Sequence, residues 1–388
     1  METKTAVRTR FDAIHPQMLA LSHRIHAHPE IGFEEEQAST WLCEVLADAG
    51  FRVDQGICDV PTAFSASAGH GPLQLVICAE YDSLPGVGHA CGHNIIAAMS
   101  VGASIAAAAV ADEVGLTVRV LGTPAEEMGG GGKILLLERG AFAGAHAAMM
   151  VHPTPSDTLM PQTLANMYFE VDYTGKAAHA AAFPEQGINA ADALTIAQTA
   201  IGLLRQHMRS TERVHGIITK GGDAPNIIPA HTTAKYAVRA QTIEALADIR
   251  AKVMRCFEAG ALATGASLNI VGERRPYAQL RHDAEIAVAY RQNAAALGRI
   301  YPTAEPVSWG ASTDMGNVSL ALPAIHPTIG IDSLPAVNHQ PEFAAHCITA
   351  AADRALVEGA LAMAWTAVDL ATTPSLRDRL LQQQVRKI

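Results

Sequence analysis

Short and long apolar runs alternate along the first half of the chain from Leu73 onward. The short runs "LQLVICA", "LTVRVLG" and "AHAAMMV" are bounded by polar and turn-forming residues and predict buried strands. The longer runs between them, "NIIAAMSVGASIAAAAVADE" and "GGKILLLERGAF", predict helices. Strands that alternate with helices indicate a parallel sheet covered by helices. In such sheets, ligands bind beyond the carboxyl ends of the strands.

A second pattern begins near Asn166 and predicts a separate, smaller domain. Its strands are expected at "NMYFEVDY", "RVHGIITK", "HTTAKYAVRA" and "ASLNIVG", and its helices over residues 189–208 and 243–264. This β-α-β-β-α-β order is typical of a ferredoxin-like α+β fold.

Beyond Glu273 the chain returns to the pattern of the first domain. A helix is predicted at "DAEIAVAYRQNAAALG", a loop at "PVSWGASTDMGNVS", and one long amphipathic helix over residues 343–371. We therefore predict a main α/β domain of residues 1–163 and 275–388, interrupted by a smaller domain of residues 164–274.

Composition is that of a soluble globular chain. Of 388 residues, 49% are apolar and 17% charged, and this length favours two domains. The net charge of -10 argues against a nucleic-acid partner. We expect a cytoplasmic protein without a membrane partner, since no export signal is recognisable and the apolar run over residues 95–110 is short for a membrane span. The six cysteines show no paired spacing and are expected to be thiols.

Candidate metal ligands follow each of the three predicted strands of the first domain. Asp82, His89, Cys91 and His93 follow the first strand, Glu126 and Glu127 the second, and His152 the third. Thiolate, imidazole and carboxylate are the usual zinc ligands, and a catalytic site keeps room for water. Two ions about 4 Å apart can activate one water between them, with an anionic ligand such as the Cys91 thiolate as the bridge.

The neighbouring carboxylates Glu126 and Glu127 suit two different tasks. They lie between a strand end and the sequence "MGGGG", and adjacent side chains at such a position point in different directions. One carboxylate can therefore bind metal while the other faces the water as general base.

Several motifs in this order resemble peptidase family M20, a family of dinuclear-metal amidohydrolases. They are "AEYDSLPGVGHACGHN", "GTPAEEMGGGGKILLLERGAF", "MMVHP", "GKAAHAAAFPEQGINAADA", "GGDAPNIIPAHTTAKYAVRA" and "NHQPEF". The motif "HACGH", with its cysteine, resembles the corresponding motif in the family branch of hippurate and auxin-conjugate hydrolases. Most of that branch has aspartate where this chain has Asn94. The variants "AEYDSLP" and "GASTDMGN" look more like those of aminobenzoyl-glutamate hydrolases and of dipeptidases that act on β-alanyl and basic dipeptides. The loop "GASTDMGN" is expected to shape the substrate pocket.

The resemblance implies a role for individual residues. It implies two divalent ions, zinc above manganese or cobalt, and attack on an amide by a hydroxide that both ions share. Glu126 is the implied general base, and Asp82 orients a ligand histidine. The implied metal ligands are Cys91, His93, Glu127, His152 and His339.

The resemblance also implies a homodimer formed through the inserted domain. His179 would reach the partner subunit's site and stabilise the oxyanion, while Asn226 and Arg239 would hold a small N-acyl amino acid, dipeptide or aminobenzoyl-glutamate-like substrate.

Three other functions fit some of these residues. Cys91 could act as a nucleophile with His89 or His93 as its base. The chain could be a catalytically silent relative that only binds a ligand, or an oligomer held by a closed structural zinc site. The presence of Glu126 and of more than four ligands favours the metal-dependent hydrolase.

Overall fold

The computed structural model describes residues 2–302, 310–383 and 385. The chain forms two compact units, a large unit of Met1–Gln162 with Leu280–Ile388 and a small unit of Thr163–Gln279. The sequence pattern places the corresponding boundaries at residues 163/164 and 274/275. The small unit is thus inserted into the sequence of the large one.

Helices and strands alternate through the first part of the large unit. Its helices are α1 (Glu2–Ala27), α2 (Glu36–Asp48), α3 (His93–Ala108), α4 (Ala111–Val114) and α5 (Gly132–Glu138). Its strands are β1 (Arg52–Gln55), β2 (Phe64–Ala68), β3 (Leu73–Ala79), β4 (Leu116–Gly122), β5 (Ala147–Met149) and β6 (His152–Thr154).

The small unit has the predicted β-α-β-β-α-β order. Its elements are β7 (Ala165–Thr174), α6 (Ala190–Leu204), β8 (Arg213–Lys220), β9 (His231–Ala240), α7 (Ile243–Thr264) and β10 (Ser267–Val271). The strands form an antiparallel sheet in the order β10-β7-β9-β8. Phe169 and Tyr236 stack on each other in this sheet, and both contact Phe257 of α7, which anchors that helix to the sheet.

The last part of the chain completes the large unit. Its elements are α8 (Ala284–Ala296), α9 (Met315–Ala321), β11 (Ala324–Ile325), β12 (Thr328–Gly330), α10 (Pro341–His346), α11 (Ala350–Thr372) and α12 (Pro374–Leu381).

The sheet of the large unit is mainly parallel, in the order β1-β2-β4-β3-β5-β11. β3 pairs in parallel with β4 and β5, and β5 pairs in parallel with β11. β1 and β2 form an antiparallel hairpin that joins the sheet through β4. The sequence analysis predicts the parallel strands β3, β4 and β5 but not this hairpin.

Both faces of this sheet are covered by helices. Leu75 and Ile77 of β3 belong to a core with α1, α3 and α11. Val76 and Cys78 point the other way and belong to a second core with α5 and α9. A strand buried on both faces is apolar throughout, which explains the continuous run "LQLVICA".

Helix α11 is long and apolar enough to cross a membrane, and 72% of its most apolar stretch is buried inside the protein. It packs against α1, α3 and α8. Its composition is therefore explained by its place in the core of the large unit.

The long helix predicted over residues 343–371 is wrong in one respect, because the structure divides it. α10 ends at His346 and α11 begins at Ala350. Thr349 lies between them with extended backbone, and its side chain accepts a hydrogen bond from the Ala352 N–H. A threonine in this position starts a new helix rather than continuing the old one.

The predicted loop "GASTDMGN" is also partly wrong, since α9 begins within it at Met315. The Thr313 hydroxyl accepts from the Met315 N–H at 3.1 Å. Met315 and Val318 are buried against the sheet. The single helix predicted from "NIIAA" onward is likewise two helices, α3 and α4.

Candidate metal centre

Acidic and imidazole side chains collect at one edge of the large unit's sheet. Glu80 and Asp82 follow the end of β3, Glu126 and Glu127 follow β4, and His152 follows β5. All five follow strands that run parallel to one another, and the carboxyl ends of such strands meet at the same edge. This geometry is the reason why the sequence analysis expects the candidate ligands after successive strands to lie close together.

Cys91 lies at the centre of a group of potential ligands. Its Sγ is 3.6 Å from Nε2 of His152 and 3.6 Å from Nε2 of His339. Oε2 of Glu127 is 3.8 Å from the same His339 nitrogen. Cys91 thus belongs to two groups that could each hold a metal ion, one with His93 and His152 and one with Glu127 and His339.

His93 is held so that one ring nitrogen faces this group. Its Nδ1 is 2.9 Å from Oδ1 of Asp82, and the other Asp82 oxygen accepts from the Glu127 N–H at 2.9 Å. Nε2 of His93 lies 3.8 Å from Oε1 of Glu127. With its Nδ1 proton directed to Asp82, His93 presents Nε2 as a ligand atom.

Protonation of the ion-free site follows from the same contacts. Burial disfavours the charged imidazole, yet Asp82 and Glu80 raise the pKa of His93 well above its usual value. Burial favours the neutral form of Asp82, but His93 outweighs it and lowers the pKa of that carboxyl. A cation held by Nε2 would take the place of this proton, so metal binding would release it.

Negative charge is in excess around the cluster. The buried carboxyl groups are Glu80, Asp82, Glu126, Glu127 and Asp314. The ammonium of Lys133, itself buried, pairs with Glu80 and, at 2.7 Å, with Asp314. Burial and the neighbouring carboxylates of Glu80 and Glu127 raise the pKa of Glu126 well above its usual value. Uncompensated buried charge is strongly unfavourable, and two divalent cations would balance this excess.

The surroundings of Cys91 do not suit a cysteine nucleophile. Burial and the carboxylate of Glu127 raise the pKa of its thiol, whereas a nucleophilic cysteine needs a lowered pKa. Burial lowers the pKa of His89 to about 3, which makes its imidazole a poor base for the Cys91 thiol. A bound cation would hold Cys91 as a thiolate.

Gly92 allows Cys91 and His93 to reach the same site. Its φ of 76° lies in the left-handed region, and it directly precedes the first residue of α3. A Cβ at this position would lie 2.4 Å from Cγ of Pro153. The position therefore requires glycine for its backbone conformation and for its close contact with Pro153.

Glu35 fixes the backbone next to the glutamate pair and is a residue that sequence analysis missed. Ala125 has a left-handed φ of 56°, and its N–H donates to Oε1 of Glu35 at 2.8 Å. The Thr62 hydroxyl donates to the other Glu35 oxygen at 3.0 Å. Burial, with a contribution from Asp82, raises the pKa of Glu35 to about 7. Three consecutive glutamates stand at 34–36, and nothing in the sequence distinguishes the middle one.

Asp314 and Asn94 lie in two segments that the sequence analysis singles out, the loop "GASTDMGN" and the motif "GVGHACGHN". The loop "GASTDMGN" contributes Asp314 to the buried charges through its bonds to the ammonium and the N–H of Lys133. Neither Asp314 nor Lys133 is among the residues predicted from the sequence. Asn94 donates to the Ser22 hydroxyl at 2.9 Å and to the Cys347 carbonyl at 3.2 Å, so it links α3 to its neighbours.

The remaining predicted residues lie in the small unit. His179 and Asn226 are exposed and adjacent, since the Asn226 carbonyl accepts from the Ala180 N–H at 3.0 Å. Nδ1 of His179 accepts from the N–H groups of Ala181 and Ala182 at 3.3 and 3.2 Å, which leaves Nε2 to carry the proton in the neutral ring. Arg239 lies on β9 and donates to the Tyr168 hydroxyl at 3.3 Å.

Comparison with known proteins supports the same interpretation. Residues 165–264 match the M20 peptidase dimerisation domain. The chain is 38% identical to the Xaa-Arg dipeptidase of Mus musculus over 96% of this chain and 90% of that protein. A solved structure of Bacillus subtilis YXEP protein, described as a dinuclear metal binding peptidase of the M20 family, matches 93% of this chain and 99% of its own, with a TM-score of 0.71 and 22% identity.

The chain belongs to peptidase family M20. It is also 34% identical to a p-aminobenzoyl-glutamate hydrolase chain of Escherichia coli (strain K12), over 63% of this chain and 55% of that one. These likenesses confirm the predicted fold, a mainly parallel sheet covered by helices with an inserted ferredoxin-like domain. They also confirm that this M20 chain is a metal-dependent hydrolase of amide bonds.

Replacement of Glu35 tests the support that its carboxylate gives to the backbone of Ala125. Glu35→Ala leaves a buried N–H and a buried hydroxyl unpaired, and we expect the free energy of unfolding in urea to fall by about 1–3 kcal/mol. Glu35→Gln is the matched control, because its amide can still accept from Ala125 and donate to Thr62. An alanine variant as stable as the glutamine variant would contradict the role of this contact.

Proposed function

We propose that this M20 hydrolase cleaves the peptide bond of small dipeptides with the help of two divalent metal ions. The observation that carries the proposal is the convergence of the other four predicted ligands on Cys91, with Glu126 in a group with two of them. More ligand atoms are present than a closed four-ligand zinc site needs, which supports a catalytic rather than a structural centre.

The donor atoms support zinc as the ion. Cys91, common to two of the ligand groups, supplies a soft sulfur, and the histidines supply imidazole nitrogens, which zinc prefers. Manganese and cobalt are the alternatives, because carboxylates are also present. When bound, the ions supply Lewis-acid activation of water and of the substrate carbonyl. A thiol ligand also fits the reducing cytoplasm in which we place the protein.

We assign the proton transfers to Glu126. It lies with Glu127 and His93 in one group of potential ligands, and it is buried among other acids that favour its protonated form. Once cations offset the neighbouring charge, its carboxylate can take a proton from the attacking water and then deliver that proton to the leaving amine. Glu127 and Asp82 keep separate tasks, as a ligand and as the residue that orients His93.

Glu126→Gln separates these roles. We expect turnover to fall by at least about 100-fold, since a general base contributes on the order of 10²–10⁴ to the rate. Metal content, measured by elemental analysis, should stay at the wild-type level. Loss of bound metal in this variant would mean that Glu126 is a ligand and that the roles of the two glutamates are reversed.

The comparisons favour a dipeptide with a C-terminal arginine as substrate. The dipeptidase of Mus musculus matches nearly the whole chain, whereas the aminobenzoyl-glutamate hydrolase chain matches 63% of it. Aminobenzoyl-glutamate is the second candidate, because that relative is still 34% identical. Both compounds present an amide next to a free carboxylate.

A substrate panel decides between the two candidates. We expect kcat/KM for dipeptides ending in arginine to exceed that for aminobenzoyl-glutamate at least about tenfold, which is a difference of about 1.4 kcal/mol in transition-state binding. Dipeptides ending in leucine or glutamate with the same first residue serve as controls. Preference for a glutamate end would overturn the assignment in favour of the second candidate.

The small unit supports a proposal about the subunits. We propose a homodimer formed through the dimerisation domain, in which His179 stabilises the oxyanion in the partner's site and Asn226 and Arg239 bind the substrate. The contacts of Nδ1 support this role, because they leave a proton on Nε2 for donation to developing negative charge. A guanidinium such as that of Arg239 can grip a carboxylate with two hydrogen bonds.

Hybrid dimers test the transfer of His179 between subunits. His179→Ala and Glu126→Gln chains, each inactive alone, are unfolded and refolded together. One site in each hybrid then has both residues intact, so the mixture should recover about a quarter of the wild-type activity if the chains pair at random. A mixture that remains inactive, although hybrids are detected by mass spectrometry, would contradict the proposal.

A further inference from the structure

Glu80 is a buried acid to which neither the family resemblance nor the proposed mechanism gives a role. It follows β3 directly and is completely shielded from solvent. Its Oε2 lies 3.4 Å from Nε2 of His93. This oxygen has no hydrogen-bond partner among the described residues.

Nε2 of His93 has two carboxylate oxygens near it. They are Oε2 of Glu80 at 3.4 Å and Oε1 of Glu127 at 3.8 Å. All three atoms are buried, and none has a hydrogen-bond partner within the described part of the chain. Buried polar atoms without partners are rare in folded proteins and call for an ion or a water between them. One nitrogen and two carboxylate oxygens are a donor set for a divalent cation.

The other oxygen of Glu80 is already fixed. It accepts a hydrogen bond from Nζ of Lys133, and the same ammonium donates to Oδ1 of Asp314 at 2.7 Å. The backbone N–H of Lys133 also donates to Asp314 at 2.8 Å. Lys133 therefore takes one carboxylate oxygen of Glu80 and leaves the second one directed at His93.

We infer that Oε2 of Glu80 is a ligand of the ion that His93 and Glu127 bind. This inference rests on the proposed dinuclear metal site and adds a sixth protein ligand to it. The ion beside His93 gains a second carboxylate, which increases the negative charge that holds it. Lys133 and Asp314 are positioning residues, because they act on the ion through Glu80.

The experiment compares Glu80→Gln with Asp314→Asn. Both changes remove one negative charge beside Lys133, but only Glu80 has an oxygen at His93. Zinc affinity is measured by competition with a chelating dye, after circular dichroism has shown that both variants are folded. Removal of a residue that only supports a ligand costs about 10–100-fold in affinity. We expect Glu80→Gln to weaken one of the two ions by more than about 100-fold and by more than Asp314→Asn does.

A crystal structure of the wild-type protein with zinc provides a readout that does not depend on the folding of a variant. We expect an anomalous peak about 2.0–2.2 Å from Oε2 of Glu80. Two ions with Glu80 beyond about 3 Å of both, or a Glu80→Gln variant that binds zinc no more weakly than Asp314→Asn, would overturn the inference and leave the proposed function intact. A wild-type protein that binds no ions would overturn both.

Discussion

Compensation of buried negative charge is the constraint on which the rest of the site depends. Five carboxyl groups and a thiol lie together at one edge of the sheet, and Lys133 is the ammonium that pairs with two of those acids. Without cations, bound protons reduce this charge, because the pKa of Glu126 and the pKa of His93 are both raised well above their usual values. We propose that, with cations bound, some of these groups act as ligands and Glu126 acts as the base. The catalytic chemistry therefore follows from a charge balance that the fold alone leaves incomplete.

Rigid surroundings make this arrangement possible. The strand ends place the acids, Gly92 brings Cys91 and His93 to the same point, and Asp82 determines which nitrogen of His93 is presented. Glu35 holds the unusual backbone of Ala125 next to the glutamate pair. Gly92, Asp82 and Glu35 surround the proposed ligands without being ligands themselves. Protein sites commonly use such surrounding residues to orient the atoms that bind the ion.

The sequence predicts the part of the site that depends on local order. Strands β3, β4 and β5 and the ligands after them follow from short apolar runs with polar residues at their carboxyl ends. The family resemblance adds His339, which is far away in sequence. Glu35, Lys133 and Asp314 could not be found in this way, because their partners lie 90, 53 and 181 residues away along the chain.

The same distinction explains the errors in secondary structure. A periodic pattern predicts that helix is present near residues 343–371, but the break before Ala350 depends on the cap that Thr349 provides. The short helix α9 was missed because its glycine and polar residues are typical of loops, while its stability comes from packing on the sheet.

The number of divalent ions that the purified chain binds tests the central claim most directly. Metal-free protein is titrated with zinc in a calorimeter, and the stoichiometry is checked by elemental analysis after dialysis. The account predicts two tightly bound ions per chain, with protons released as they bind. A folded chain that takes up no zinc, and that hydrolyses dipeptides at the same rate without it, would contradict the account.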